Sequence, residues 1–84
     1  MSGREYTPHQ ILLLALHNAG AIIGKTGKTI DELVKLTDIK REELDEIIPT
    51  QINSGYIETS VDATGAKHYL LTGRGIIRVA TLYT

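Results

Sequence analysis

The sequence predicts a mainly helical α+β domain with three helices, a β-hairpin and a short closing helix. Three observations carry this. Apolar residues recur at helical spacing in successive stretches punctuated by caps and glycines. After Gly55 the period changes from helical to alternating, the mark of extended chain. The chain has 84 residues, a length that buries only roughly 60 to 65% of its unfolded surface and so supports one small core rather than two. A single domain over residues 1–84 is expected, with no internal repeat or linker.

The first helix opens at TPHQ. Thr7 serves as N-cap, Pro8 takes the first helical position, where its missing N–H costs nothing, and Gln10 completes a capping box. It ends at Asn18, Ala19 and Gly20. Ile11, Leu14, Ala15 and Asn18 share one face, Leu12, Leu16 and Ala19 a neighbouring one, and Leu13 looks elsewhere. The helix is therefore apolar nearly all round, which suits a central element or half of a dimer interface, with Leu14 expected in the core.

Next comes IIGKTGKTIDEL, residues 22–33, in which Gly-Lys-Thr occurs twice. That tripeptide ends a phosphate-binding loop, but such a loop also needs an earlier glycine, five positions back, and a buried strand before it. Those positions hold Ala19 and Ile22, and the preceding stretch is helical. Nucleotide binding is therefore not expected, and the glycines are read as shaping a connection. Thr29 caps the second helix, Glu32 returns the bond three residues later, and Ile30, Leu33, Val34 and Leu36 turn inward.

After the turn LTDIK, the stretch REELDEII places Leu44, Ile47 and Ile48 on one stripe and Glu42, Glu43, Asp45 and Glu46 around the rest. Pro49 lacks an N–H and clashes with the carbonyl four residues back, so a kink or break is expected near residue 48, then a further turn to Asn53 and a stop at Gly55. YIETSV, DATGAK and HYLL form the hairpin, with Ile57, Val61, Tyr69 and Leu71 on its buried face. In TGRGIIRVATLY, Thr72 caps a short helix with Ile76, Val79, Ala80 and Tyr83 on one side and Ile77 and Leu82 as extra apolar surface.

Composition narrows the function. There is no cysteine, which excludes disulfides and thiolate metal sites. The longest apolar run, Ile11 to Leu16, is too short for a bilayer, and the N-terminus lacks the order of a signal peptide, so a soluble cytoplasmic protein with no membrane contact is expected. Nine Lys and Arg against ten Asp and Glu leave a net charge of -1, so nucleic-acid binding would rest on local patches. With no Trp or Phe and four dispersed tyrosines, single strands find no stacking platform. His9 and His17 share a helix without a third ligand, and Ser54 and Ser60 lack an activating base, so neither a metal, a cofactor nor catalysis is expected.

The order of elements is that of a winged helix-turn-helix domain, and TIDELVKLTDIKREELDEII, SGYIE and HYLLTGRG resemble small archaeal and bacterial winged-helix regulators of the MarR-like and PadR-like kind. Gly55-Tyr56-Ile57 matches the family's step into the first wing strand, and Tyr69 to Gly75 its step out of the second. The resemblance covers residues 7 to 80. It implies a helix-turn-helix over about 29–55, a wing over about 56–72 and a C-terminal helix over about 73–83. By position, Lys40, Arg41, Glu42, Asp45, Glu46 and Pro49 then occupy the start and outer face of the helix that enters the major groove.

Two departures from the family stand out. Ser, Thr, Arg or Lys are usual where this chain has Glu42, Asp45 and Glu46, and carboxylates repel phosphates although one can accept from a cytosine amino group. Gln51 also replaces a buried Leu, with Ile52 expected to substitute one position late if Pro49 shifts the register. The candidate phosphate contacts are Lys25, Lys28, Lys40, Arg41, Lys67, His68 and Arg74, helped by helix-end amides, and the wing tip Ala63 to Ala66 is small and uncharged. The expected function is a transcriptional regulator of double-stranded DNA, working as a homodimer through its first and C-terminal helices. The alternative is a winged-helix protein-interaction module whose acidic third helix meets a basic partner.

Overall fold

The computed structural model describes residues 5–83, so residues 1–4 and 84 at the ends of the expected span lie outside the described residues. The elements run α1 (Pro8–Asn18), α2 (Ile30–Thr37), α3 (Arg41–Asn53), β1 (Ile57–Val61), β2 (Lys67–Leu71) and α4 (Gly73–Leu82). The caps are those expected from the sequence. Thr7 with Gln10 and Thr29 with Glu32 both form capping boxes, and the Thr72 side chain accepts from the Gly75 N–H. α3 closes on Gly55 at φ 81°, with the Tyr56 N–H reaching the Gln51 carbonyl and the Gly55 N–H the Ile52 carbonyl. That paired closure needs a left-handed residue, which glycine adopts without strain.

α1 lies at the centre. Its Leu12, Leu13 and Leu16 are buried and meet Leu33 of α2, Leu44, Ile47 and Ile48 of α3, Ile57 and Leu71 of the hairpin and Val79 of α4. The all-round apolar character of α1 is thus used internally. Leu14 packs only at the edge of this cluster, whereas Leu13, expected to point elsewhere, is buried.

Other expectations are corrected. α3 passes through Pro49 as one helix, because Leu44, Ile47, Ile48 and Gln51 are buried at helical spacing and only a continuous helix keeps them on one stripe. The helix therefore tolerates a lost bond at Pro49 to retain that contact. No register shift occurs: Gln51 is the buried residue, its amide donating to the Thr50 hydroxyl at 3.2 Å, and Ile52 is exposed. Leu36 is exposed as well. Val61 pairs with Lys67 at the far end of the hairpin, beyond the reach of the helices, and is 61% exposed. Leu70 is buried in its stead; since neighbouring strand residues face opposite ways, burial of both Leu70 and Leu71 means that both faces of this end of β2 are covered. α4 turns Gly75, Val79 and Leu82 inward and leaves Ala80 and Tyr83 outside.

The hairpin does not stand alone. Its strands pair antiparallel from Ile57↔Leu71 to Val61↔Lys67, and the segment between α1 and α2 lies along the other edge of β2 through bridges Ile22↔Leu71 and Lys28↔Tyr69. Replacing Leu16, fully buried in α1, by Ala is expected to destabilise the protein by about 2 to 5 kcal/mol through a cavity, while Leu36→Ala on the exposed side of α2 stays within about 0.5 kcal/mol. Chemical denaturation of the two variants checks this.

Candidate nucleic-acid interface

The turn between α2 and α3 sets where α3 starts. Thr37 donates its hydroxyl to the Leu33 carbonyl at 2.7 Å and accepts from the Ile39 N–H at 3.1 Å. Asp38 takes the left-handed conformation at φ 58°, which Asp tolerates better than most residues, and Ile39 plugs into the core. α3 then begins at Arg41 with Lys40 as its N-cap, and no side chain caps it. Glu42 and Glu43 fall in its first turn, where they offset the positive helix end. The amides expected to attract phosphate therefore already have carboxylates beside them.

Across α3 one Arg faces four carboxylates, a net charge of -3. At about 100° per residue, Glu42, Glu46, Pro49 and Asn53 form the outermost ridge, opposite the buried stripe. Arg41 and Asp45 turn sideways. Together with Thr29, Asp31, Lys67 and Tyr69 they line a groove of about 350 Å³ between α3 and the wing. Arg41 donates to Asp31 across it at 3.1 Å, an exposed pair that tethers α3 to α2 but contributes little to stability.

The wing tip is tightly built. One Asp62 oxygen accepts from the Thr64 N–H (2.8 Å), the Thr64 hydroxyl (2.6 Å) and the Ala66 N–H (3.1 Å), and the other lies 2.8 Å from His68 Nε2. His68 Nδ1 faces the Gly27 carbonyl at 3.3 Å. The Thr64 hydroxyl bond, then His68, hold the Asp62 carboxyl far below the usual carboxylate range. Asp62, then the Gly27 carbonyl, raise His68 above the ordinary imidazole value of 6.5. Stability from the His68 contacts is thus complete below the ordinary imidazole value and is lost as pH rises through the raised one. Stability from Asp62 is lost only as pH falls through its depressed value.

Gly27 explains why the loop carries its second glycine. A Cβ there would stand 2.5 Å from the Tyr69 carbonyl oxygen, against the strand that Lys28 pairs with: the Lys28 N–H donates to the Tyr69 carbonyl and the Tyr69 N–H to the Lys28 carbonyl, both at 2.8 Å. The doubled Gly-Lys-Thr stretch is a backbone splice onto the wing.

Among the cations expected to act together, Arg41 and Lys67 share the groove, and Lys40 directly precedes Arg41 at the start of α3. Lys28 lies on the adjoining surface, 3.9 Å from Glu32 and beside Lys35. Lys25 is exposed in the loop. Arg74 lies against Gly55 and 5.9 Å from the Tyr56 ring centre, beyond the C-terminal end of α3. That is about 20 Å of helix away from Arg41. His17, weighed as a metal ligand, tilts against Tyr83 with ring centres 6.4 Å apart. Sequence reading missed Asp31, Asp62 and Tyr69; only Asp62 had a local signal, the Asp-x-Thr of an Asx turn.

No protein-family model matches the chain, and no curated protein matches it significantly. Solved structures do. A Ralstonia eutropha protein, described as DNA-binding by inference, superposes with a TM-score of 0.76 at 26% identity, covering 95% of this chain and 100% of that one. A MarR-family transcriptional regulator from Silicibacter pomeroyi gives 0.74 at 19% identity over 92% of this chain and 49% of its own, so this chain spans about half of that regulator. The DNA-binding TubR fragment from Clostridium botulinum gives 0.76 at 14% identity over 96% and 99%.

The fold is a winged helix-turn-helix. In the winged helix α2 and α3 are the helix-turn-helix, β1 and β2 the wing, and the segment from Ala21 to Lys28 ties the wing to the helices. Gly27→Ala is expected to cost about 1 to 3 kcal/mol by overpacking against Tyr69, whereas Gly73→Ala, with open space around it at the first position of α4, is neutral or stabilising by up to about 1 kcal/mol. Thermal unfolding of the pair measures the difference.

Proposed function

We propose that this winged helix is a non-enzymatic, DNA-binding transcriptional regulator that meets duplex DNA with the start of α3 and the wing. The observation that carries the reading is the groove between α3 and the wing, lined by both Arg41 and Lys67, in a fold shared with solved DNA-binding regulators. In this arrangement Lys40, Arg41 and Lys67 contact phosphate, with Lys25 and Lys28 at the flank, while Glu42 and Asp45 face base edges and accept from amino groups. His68 belongs to the same surface through the wing, and Arg74 reaches backbone only beyond the far end of α3.

The outer ridge of α3 favours a second reading. Glu42 and Glu46 project where a groove reader usually carries neutral or basic side chains, so a basic protein partner suits that ridge better than phosphate does. Salt dependence separates the two. Anisotropy with mixed-sequence duplex is expected to show binding that weakens steeply with salt, and Lys40→Glu with Arg41→Glu abolishes it. Milder Gln replacements at both positions reduce the log–log slope by about 1.8, two contacts at about 0.9 each. Glu42→Gln with Glu46→Gln strengthens non-specific binding. Absence of binding at low salt by a folded protein removes the regulator reading and leaves the protein-interaction one.

The regulator acts as a homodimer whose two copies read half-sites roughly 34 to 36 Å apart. The support lies on α4 and the residue after it: Ile77 is 68% exposed and Tyr83, although it meets His17, is still 58% exposed, leaving apolar surface open to a second copy. Sedimentation equilibrium is expected to find a dimer that Ile77→Glu converts to a folded monomer; a monomeric wild type removes this part.

A further inference from the structure

His68 sits between two acceptors. The Asp62 carboxylate oxygen lies 2.8 Å from Nε2 and the Gly27 carbonyl oxygen 3.3 Å from Nδ1. A neutral imidazole has one N–H, so in either tautomer one of its nitrogens presents a lone pair to an oxygen lone pair. Only the imidazolium donates to both. The ring is half-buried, its side chain 19% exposed. The other charge facing it is negative: Glu32 of α2, whose carboxylate accepts from the Thr29 N–H at 2.9 Å and lies 3.9 Å from Lys28. The two acceptors belong to different pieces of the fold, since Asp62 starts the wing turn and Gly27 lies in the segment before α2.

We propose that His68 is a positioning residue that latches the wing turn to the Gly27 segment only while it is doubly protonated, so that loss of one proton loosens the wing and lowers affinity for DNA. With both N–H groups committed to Asp62 and Gly27, His68 makes no phosphate contact of its own. Its effect passes through Ala66 and Lys67 of the wing, which line the groove with Arg41. The DNA part of the inference rests on the reading under Proposed function; the latch itself does not.

The test begins with the free protein. In a nuclear magnetic resonance titration from acid to alkaline pH, the His68 ring and the amides of Gly27, Thr64 and Ala66 are expected to share one midpoint above 6.5, with slower amide exchange below it than above. Asp62→Asn lowers that midpoint, and His68→Gln removes the common transition from the amides. Amides that ignore His68 ionisation, or a His68 midpoint at or below the ordinary value, overturn the latch.

Duplex affinity of the wild type is then followed through the same midpoint. If the latched form falls to about a tenth of the population, affinity falls about tenfold, beyond the change seen for His68→Gln. A wing that titrates while affinity stays level with that of His68→Gln overturns the coupling and leaves DNA binding intact. Failure to bind at any pH, with the amides titrating together, overturns the regulator reading and upholds the latch.

Discussion

The structure depends on the edge of β2 that faces the segment between α1 and α2. A two-stranded hairpin is at best marginally stable in water, because half of its backbone groups and one flank find no partner within it. Here the Leu71 N–H donates to the Ala21 carbonyl at 2.8 Å, and Lys28 and Tyr69 exchange two bonds of the same length. On the other side the Thr72 N–H reaches the Tyr56 carbonyl, and the Thr72 hydroxyl the Gly55 carbonyl at 2.5 Å. These ties hold β2 between the helix-turn-helix and α4, and Leu71 enters the core with α1.

This constraint accounts for features that look unrelated in the chain. Gly27 leaves room for the Tyr69 backbone, and Gly75 does the same for the Tyr56 carbonyl at the start of α4. His68 and Asp62 extend the attachment from backbone to side chains, out to the wing turn. The wing emerges as an arm with a firm root and a tip held by one carboxylate. Arg41 and Lys67 line one groove because α3 packs on α2 and β1 while β2 is held by the segment that leads into α2.

Electrostatics divides the surface more finely than the net charge of -1 implies. Glu42 and Glu43 stabilise the start of α3 by facing its positive end, and the same charges diminish its appeal to phosphate. Arg41 is shared with Asp31, and Lys28 with Glu32, so two of the cations near the groove already have local partners. A partner must compete with those pairs, which are exposed and weak.

Much of the architecture was legible in the chain. Thr7, Thr29 and Thr72 announced three helix starts because a cap bond spans three residues and needs no distant partner. The change of period after Gly55 announced the wing, and the resemblance at Gly55-Tyr56-Ile57 and Tyr69 to Gly75 named the fold. What escaped was decided by tertiary contact. Pro49 argued locally for a broken helix, but burial of Leu44, Ile47, Ile48 and Gln51 on one stripe outweighed a single lost bond. Val61, expected on the buried face, is exposed and Leu70 is buried, because burial on a strand depends on what covers each face. The grouping of Arg41 with Lys67, the separation of Arg74 and the bridging of His68 join residues far apart in sequence. Local patterns determine where elements begin and end; only the packed chain determines which charges meet, because salt screens a charge pair beyond about 8 to 10 Å of space whatever the distance along the chain.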